Sequence, residues 1–351
     1  MKLGKISESI WKSSVLKYTK QTWNKELGAD EKTDCAFSAC QEQGVISHVA
    51  VASLSLPVAE DILMRHVIYA AVNKLAADGY LSTGITLAIT LPERMRQSKL
   101  TKMMQEASEI CQSLSIVIQG GHTEVSDSVI YPIVSVTAFG TKAPDSVSKI
   151  SKKALETADL VVTKYIGLEA ASLITSRFEA ALADRFPKAV VEEAKGYEKY
   201  LSILPEAATA MKSGDCILQP IREGGIFAAL WNMAIKTGTG LIVDLKKIPV
   251  KQNAIEIFNF YDLNPYEILS TGSLLIAAAD GEKLVRELEK QGIPATVIGR
   301  LQAGNDKVIM NGEEQRFLDK PKPDQIRALL NQEQLKKARL LEADIEKEIE
   351  E

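Results

Sequence analysis

Residues 60–79, "EDILMRHVIYAAVNKLAADG", carry apolar side chains at helical spacing. They lie between two runs rich in β-branched residues, "VISHVAVASLSL" (45–56) and "GITLAITL" (84–91). A strand, a helix and a second strand in that order restrict the chain to folds in which helices cover a sheet. The pattern continues with a helix over "KLTKMMQEASEICQSL" (99–114), a strand at "SIVIQ", a Gly-Gly turn, and a strand at "VIYPIVSVTAFG" (129–140).

The stretch "TKAPDSVSKISKKA" (141–154) is polar, basic and short of large apolar residues, so a domain junction is placed there. Beyond it the alternation restarts with the strand "DLVVTK" (159–164), helices near 167–185 and 188–202, the helix "REGGIFAALWNMAIKTG" (222–238) and the strand "GLIVDL" (240–245). "GSLLIAAAD" (272–280), "GEKLVRELEKQG" (281–292) and "PATVIGRL" (294–301) then give a strand, a helix and a strand, predicting a sheet with helices on one side. The expected organisation is an N-terminal domain over 1–145, a C-terminal domain over 146–320 and a charged helical tail over 321–351.

A length of 351 residues supports two domains and a sizeable core. The formal net charge of −4 gives no broad electrostatic basis for nucleic acid or an anionic membrane as partner. The first residues lack the apolar core of a secretory signal, and no later run is long and apolar enough for a membrane span, so a cytoplasmic location is expected. Cys35, Cys40, Cys111 and Cys216 form no CxxC pair and have no zinc-finger histidines nearby; they read as reduced, buried thiols.

Two glycine pairs carry the candidate chemistry. In "VIQGGHTEVSD" (117–127), Gly120 and Gly121 lack the Cβ atoms that would keep backbone N–H groups away from an anion, and His122, Thr123 and Glu124 follow. His122 and Glu124 share a face if the segment is extended, but no third metal ligand lies nearby, so the residues alone favour a structural turn over a metal site. In "REGGIFAAL", Arg222 and Glu223 precede Gly224 and Gly225 at the start of an apolar helix, whose N-terminus attracts phosphate or carboxylate. Close packing is the equally open reading of those glycines. The GxSxG, HExxH, GxxxxGK[ST] and GxGxxG patterns are all absent.

"MKLGKIS", "GGHTEV", "EGGIFAALWNMA", "STGSLLIAA" and "GIPATVIGR" together, in order and spacing, resemble the PurM-like superfamily, which includes aminoimidazole ribonucleotide (AIR) synthase. The nearest branch resembles the hydrogenase-maturation factor HypE and the AIR synthase-related proteins around it, over about residues 1–318. The resemblance implies an α+β fold of two domains, the N-terminal α/β domain pairing into a dimeric β-barrel. It also implies ATP and Mg²⁺ in a cleft between the domains, phosphoryl activation of an amide or carboxylate oxygen, a homodimer, and a maturation partner protein.

Carried onto this sequence, the family's first acidic motif falls on "KTDCA", where Asp34 keeps the acidic position as a nucleotide-site or metal residue and Lys32 replaces a glycine. Gly120, Gly121, His122, Thr123 and Glu124 match the second glycine motif. Three other acidic positions are lost: Leu56-Pro57 stands for Asp-Pro, Lys74 for the aspartate before Leu-Ala, and Arg222 lies in the segment Pro220–Gly225 that matches Asp-Pro-Thr-Glu-Gly-Gly. Mg²⁺ depends on carboxylate oxygens, so the resemblance leaves ATP implied and Mg²⁺ unexpected. Lys74 and Arg222 can instead contact phosphate directly, and a non-catalytic relative binding an anion or a partner protein is the alternative. The sequence shows no cysteine after Cys216, where the resembled factor has a terminal cysteine as its carbamoyl acceptor, so cyanide-ligand synthesis is not expected.

Overall fold

The structure, a computed structural model, describes residues 28–29, 35–39, 46–54, 60–142 and 152–330. Asp34, Cys40, Leu56, Pro57 and the charged segment 331–351 lie outside the described residues.

The first sheet is built from β1 (Gly28–Ala29), β2 (Cys35–Ala39), β3 (Ile46–Leu54), β4 (Leu81–Pro92), β5 (Val117–Ser126) and β6 (Ile133–Lys142), with α1 (Glu60–Ala77) and α2 (Gln97–Ser113) between strands. The strand order is β1-β2-β3-β6-β4-β5. Only β4 and β5 pair in parallel, and α2 makes the crossover that parallel neighbours require. Ala50, Ile85, Leu87, Ile89, Val134, Val136 and Ala138 bury one face under Leu63, Met64, Val67 and Ile68 of α1 and Met103 and Ala107 of α2. Among the described residues, the buried cluster under this sheet includes no side chain of the opposite face, which carries Val51, Ala88 and Thr137.

The segment from α3 (Lys152–Leu155) onward forms a second sheet from β7 (Asp159–Thr163), β8 (Cys216–Ile221), β9 (Gly240–Asp244), β10 (Ser273–Ala278), β11 (Ala295–Gln302), β12 (Lys307–Asn311) and β13 (Glu314–Phe317). Its order is β13-β12-β9-β11-β7-β10-β8, and β12 pairs in parallel with β9 while the other pairs are antiparallel. The helices are α4 (Leu168–Arg177), α5 (Glu179–Ala183), α6 (Lys188–Lys195), α7 (Leu204–Ser213), α8 (Gly225–Thr237), α9 (Gln252–Phe260) and α10 (Gly281–Lys290), and residues 325–330 form a further helical turn.

Helices cover both faces of this sheet, which corrects the expectation of one covered side. Leu275 and Ala277 of β10 pack with Ile226, Leu230 and Met233 of α8, whereas Leu274 and Ile276 pack with Ala207 of α7 and Leu284 and Leu288 of α10. Every residue of β10 is buried, as a strand enclosed between two layers demands. A continuous apolar run such as "SLLIAA" carries that information, since a strand wetted on one side alternates.

α1 joins the two halves. Its side chains from Leu63 to Leu75 enter the core under the first sheet, and Ala76 and Ala77 enter the core shared by α7, α10 and the second sheet. The start of the segment expected to be a charged helical tail is core: Ile326, Leu329 and Leu330 are buried in the cluster that contains α1 and α4.

Candidate functional site

β3, α1, β8 and the start of α8 meet at a cleft between the two sheets. It is lined by Val51, Ala52 and Ser53 of β3, Lys74 of α1, Gln219 and Pro220 of β8, Arg222 and Glu223, and Ala228, Ala229 and Asn232 of α8. Two residues that sequence reasoning singled out from opposite halves, Lys74 and Arg222, therefore face one cavity, with Glu223 beside them. The mixture is two cations, one carboxylate, two amides and a hydroxyl.

Lys74 sits in the last turn of α1, where a cation complements the helix dipole, and its Nζ donates to the Val51 carbonyl at 2.7 Å. Arg222 follows β8, and its Nε is buried without a hydrogen-bond partner among the described residues. Glu223 is committed elsewhere, accepting from Arg327 Nε at 3.0 Å. Ser53 Oγ is bonded to Ser135 Oγ at 2.6 Å, and Gln219 Nε2 donates to the Pro220 carbonyl at 3.3 Å. Among the described residues no group of three or more His, Cys, Asp or Glu side chains is arranged to hold a metal ion. Hydrogen-bond donors and positive charge on this lining suit anionic oxygens, including nucleotide phosphates, better than a hard cation.

The α8 N-terminus attracts a carboxylate, as its sequence suggests, but the carboxylate belongs to the chain itself. Asp324 is 2% exposed; its Oδ2 accepts from the Gly224 N–H at 2.7 Å and its Oδ1 from the Ile326 N–H at 3.0 Å. Burial pushes its carboxyl up to about 7, against the opposing pull of the backbone N–H groups of Gly224, Ile326 and Leu269. Gly225 serves close packing: at φ 63° it takes a conformation that glycine favours, and a Cβ there would stand 2.5 Å from the Tyr266 carbonyl oxygen. Gly225 thus sets the helix start against neighbouring backbone, and the N–H groups of Gly224 and Gly225 are taken by Asp324 and the Arg222 carbonyl.

The expected Gly-Gly turn is a strand. β5 runs unbroken through Gly120 and Gly121, because both pair with β4, opposite Thr86 and Leu87, after a register shift at Ile85. A Cβ on Gly121 would lie 1.9 Å from the Leu87 carbonyl oxygen, so the second glycine is demanded by strand contact. His122 and Glu124 do share a face, with Nε2 and Oε2 3.5 Å apart, and Thr90 Oγ1 donates to Glu124 at 3.2 Å. His122 is 72% and Glu124 52% exposed, and neither they nor Thr123 line the cleft.

Cys111 and Cys216 are buried, and burial raises both thiols to about 11, so neither presents a thiolate near neutral pH.

Sequence reasoning passed over the polar contacts that join the two halves of the chain. Asn73 donates to the Leu201 carbonyl at 2.7 Å and accepts from the Ile203 N–H at 3.1 Å, tying α1 to the start of α7. His66 Nδ1 lies 2.9 Å from Glu169 Oε1, and Glu169 Oε2 accepts from the Thr271 N–H at 2.8 Å. Lys236 of α8 reaches Asp78, just past α1, at 3.1 Å. His66 and Asn73 stand seven residues apart on an otherwise apolar helical face, which was the available signal.

Residues 33–141 match the family described as AIR synthase related protein, N-terminal domain, and residues 159–311 match AIR synthase related protein, C-terminal domain. A putative hydrogenase expression/formation protein of Methanocaldococcus jannaschii is 25% identical over 335 residues, covering 92% of this chain and 96% of the relative. A chain of a solved HypE-HypF complex aligns with TM-score 0.68 at 16% identity, over 89% of this chain and 99% of that one. The hydrogenase maturation protein HypE in complex with ATP aligns with TM-score 0.64 at 16% identity, over 92% and 97% of the two chains. At such identities the structural likeness speaks to fold alone.

Proposed function

The chain belongs to the PurM-like, AIR synthase-related family and is HypE-like within it, and from that premise we propose that it is a hydrogenase-maturation protein holding a nucleotide between its two sheets. The observation that carries this reading is the convergence of Lys74 and Arg222, from different halves of the chain, on one cleft. In this reading the protein works as a homodimer in the cytoplasm, meets a maturation partner protein, and uses ATP to activate an amide or carboxylate oxygen. The relative solved with HypF and the one solved with ATP support the partner and the nucleotide as properties to test in this chain.

The experiment is calorimetric titration of the whole chain with ATP and ADP, followed by an ADP-release assay in the presence of candidate amides and carboxylates. Saturable nucleotide binding that weakens in Lys74→Ala and Arg222→Ala supports the cleft. Binding without turnover favours a second reading, in which the protein is a non-catalytic binder of an anionic ligand. The observation behind that second reading is the cationic lining, which supplies recognition and, among the described residues, offers only Glu223, already paired to Arg327, as a carboxylate.

A further inference from the structure

Resting on the cleft as a nucleotide site, we propose that this chain recognises a polyphosphate by direct contact with Lys74 and Arg222, without a bridging divalent cation. A metal-bridged polyphosphate site requires carboxylate oxygens that the cation and the phosphates share. Here the donor set does not fit Mg²⁺: its one carboxylate among the described residues, Glu223, is turned to Arg327 at 3.0 Å, and two positive side chains would repel the ion.

The same lining fits phosphate oxygens. The Val51 carbonyl holds the Lys74 ammonium at the cleft with a 2.7 Å hydrogen bond, so the charge is positioned before any ligand arrives. Arg222 presents a planar set of donors, and its Nε is enclosed without a partner among the described residues. Arg222 lines the cleft, so the guanidinium donors other than the enclosed Nε are the ones a phosphate there would meet. Because the two cations come from the two halves of the chain, a di- or triphosphate spanning them also ties those halves together. The nucleotide proposed for this cleft supplies linked phosphates of that kind.

The test uses the whole chain and three probes, inorganic pyrophosphate, ADP and ATP, titrated by calorimetry in EDTA and again with excess Mg²⁺. Direct contact predicts binding in EDTA that is as tight as with Mg²⁺ or tighter, since Mg²⁺ competes for the same phosphate oxygens. Arg222→Ala and Lys74→Ala each weaken it about tenfold or more, the equivalent of one charge-assisted hydrogen bond. Thermal unfolding of each variant establishes that the fold persists, and Arg222→Lys, which keeps the charge and loses the fork, gives an intermediate affinity. Binding that requires Mg²⁺ overturns the inference and leaves the nucleotide cleft standing. No binding under either condition overturns both, and metal-free binding untouched by either substitution overturns the assignment to these residues.

Discussion

His66 on α1 and Glu169 on α4 form a dry polar contact, Nδ1 to Oε1 at 2.9 Å, between the helix under the first sheet and the helix that opens the second half of the chain. Glu169 spends its other oxygen on the Thr271 N–H, so one carboxylate fixes two segments, while His66 Nε2 is buried with no hydrogen-bond partner among the described residues. Removing one partner leaves the other unmatched in a site that excludes water. His66→Ala is expected to destabilise the protein by about 3 kcal/mol, read as a shift in the urea midpoint. A loss below about 1 kcal/mol would show that the contact does not hold the two halves together.

Asn73 makes a two-way bond with the backbone of Leu201 and Ile203. Asn73→Leu keeps the volume but strands a carbonyl and an N–H, and is expected to cost about 2–3 kcal/mol. Hydrogen exchange provides the sharper readout: protection of the Ile203 amide should fall in this variant more than protection of amides within β10.

Asp324 makes stability depend on pH with a definite sign. Its folded value of about 7 lies above its ordinary 3.8, so the stabilisation is full below about pH 4 and is lost as pH rises through 7. From pH 5 to pH 8 this one group is expected to remove about 2–3 kcal/mol, and Asp324→Asn should flatten that part of the profile. Urea unfolding of both proteins at the two pH values checks it, and parallel slopes would assign the titration to other groups.

Gly120 and Gly121 share the same extended positive φ, 154° and 152°, yet only Gly121 faces backbone within contact distance. Gly121→Ala is therefore expected to lose about 1–3 kcal/mol more than Gly120→Ala, through the collision with Leu87. Equal losses would mean that conformational strain, common to both, outweighs the contact.

The homodimer proposed above has a natural surface in the outer face of the first sheet, where Ala88 lies between Ser135 and His122 in register. Ala88→Arg places a charge at the centre of that face and is expected to convert a dimer to a monomer in light scattering coupled to gel filtration. A wild-type protein that is monomeric at micromolar concentration would remove the proposal.

Much of the fold was legible from periodicity. α1, α2, α8 and α10 lie where apolar residues recur at helical spacing, β3, β4, β9 and β11 lie where β-branched runs occur, and β10 lies in a continuous apolar run. These elements follow from local pattern because each buries a face whose repeat is written in the chain. The family was legible as well, through "GGHTEV", "STGS" and the segments between them, and the matches of residues 33–141 and 159–311 to the AIR synthase related domains agree with it.

What the sequence could not specify depended on partners distant along the chain. The Gly120-Gly121 pair reads as a turn until Leu87 of β4 is brought beside it. The open N-terminus of α8 reads as an anion site until Asp324, one hundred residues later, closes it. In the other direction, tertiary structure joined Lys74 to Arg222: local pattern gave each a charge, and only the packing of α1 against β8 and α8 put both charges on one cleft. The physical reason is common to all three cases. Hydrogen-bond and electrostatic partners are chosen by distance in space, whereas hydrophobic periodicity is recorded along the chain.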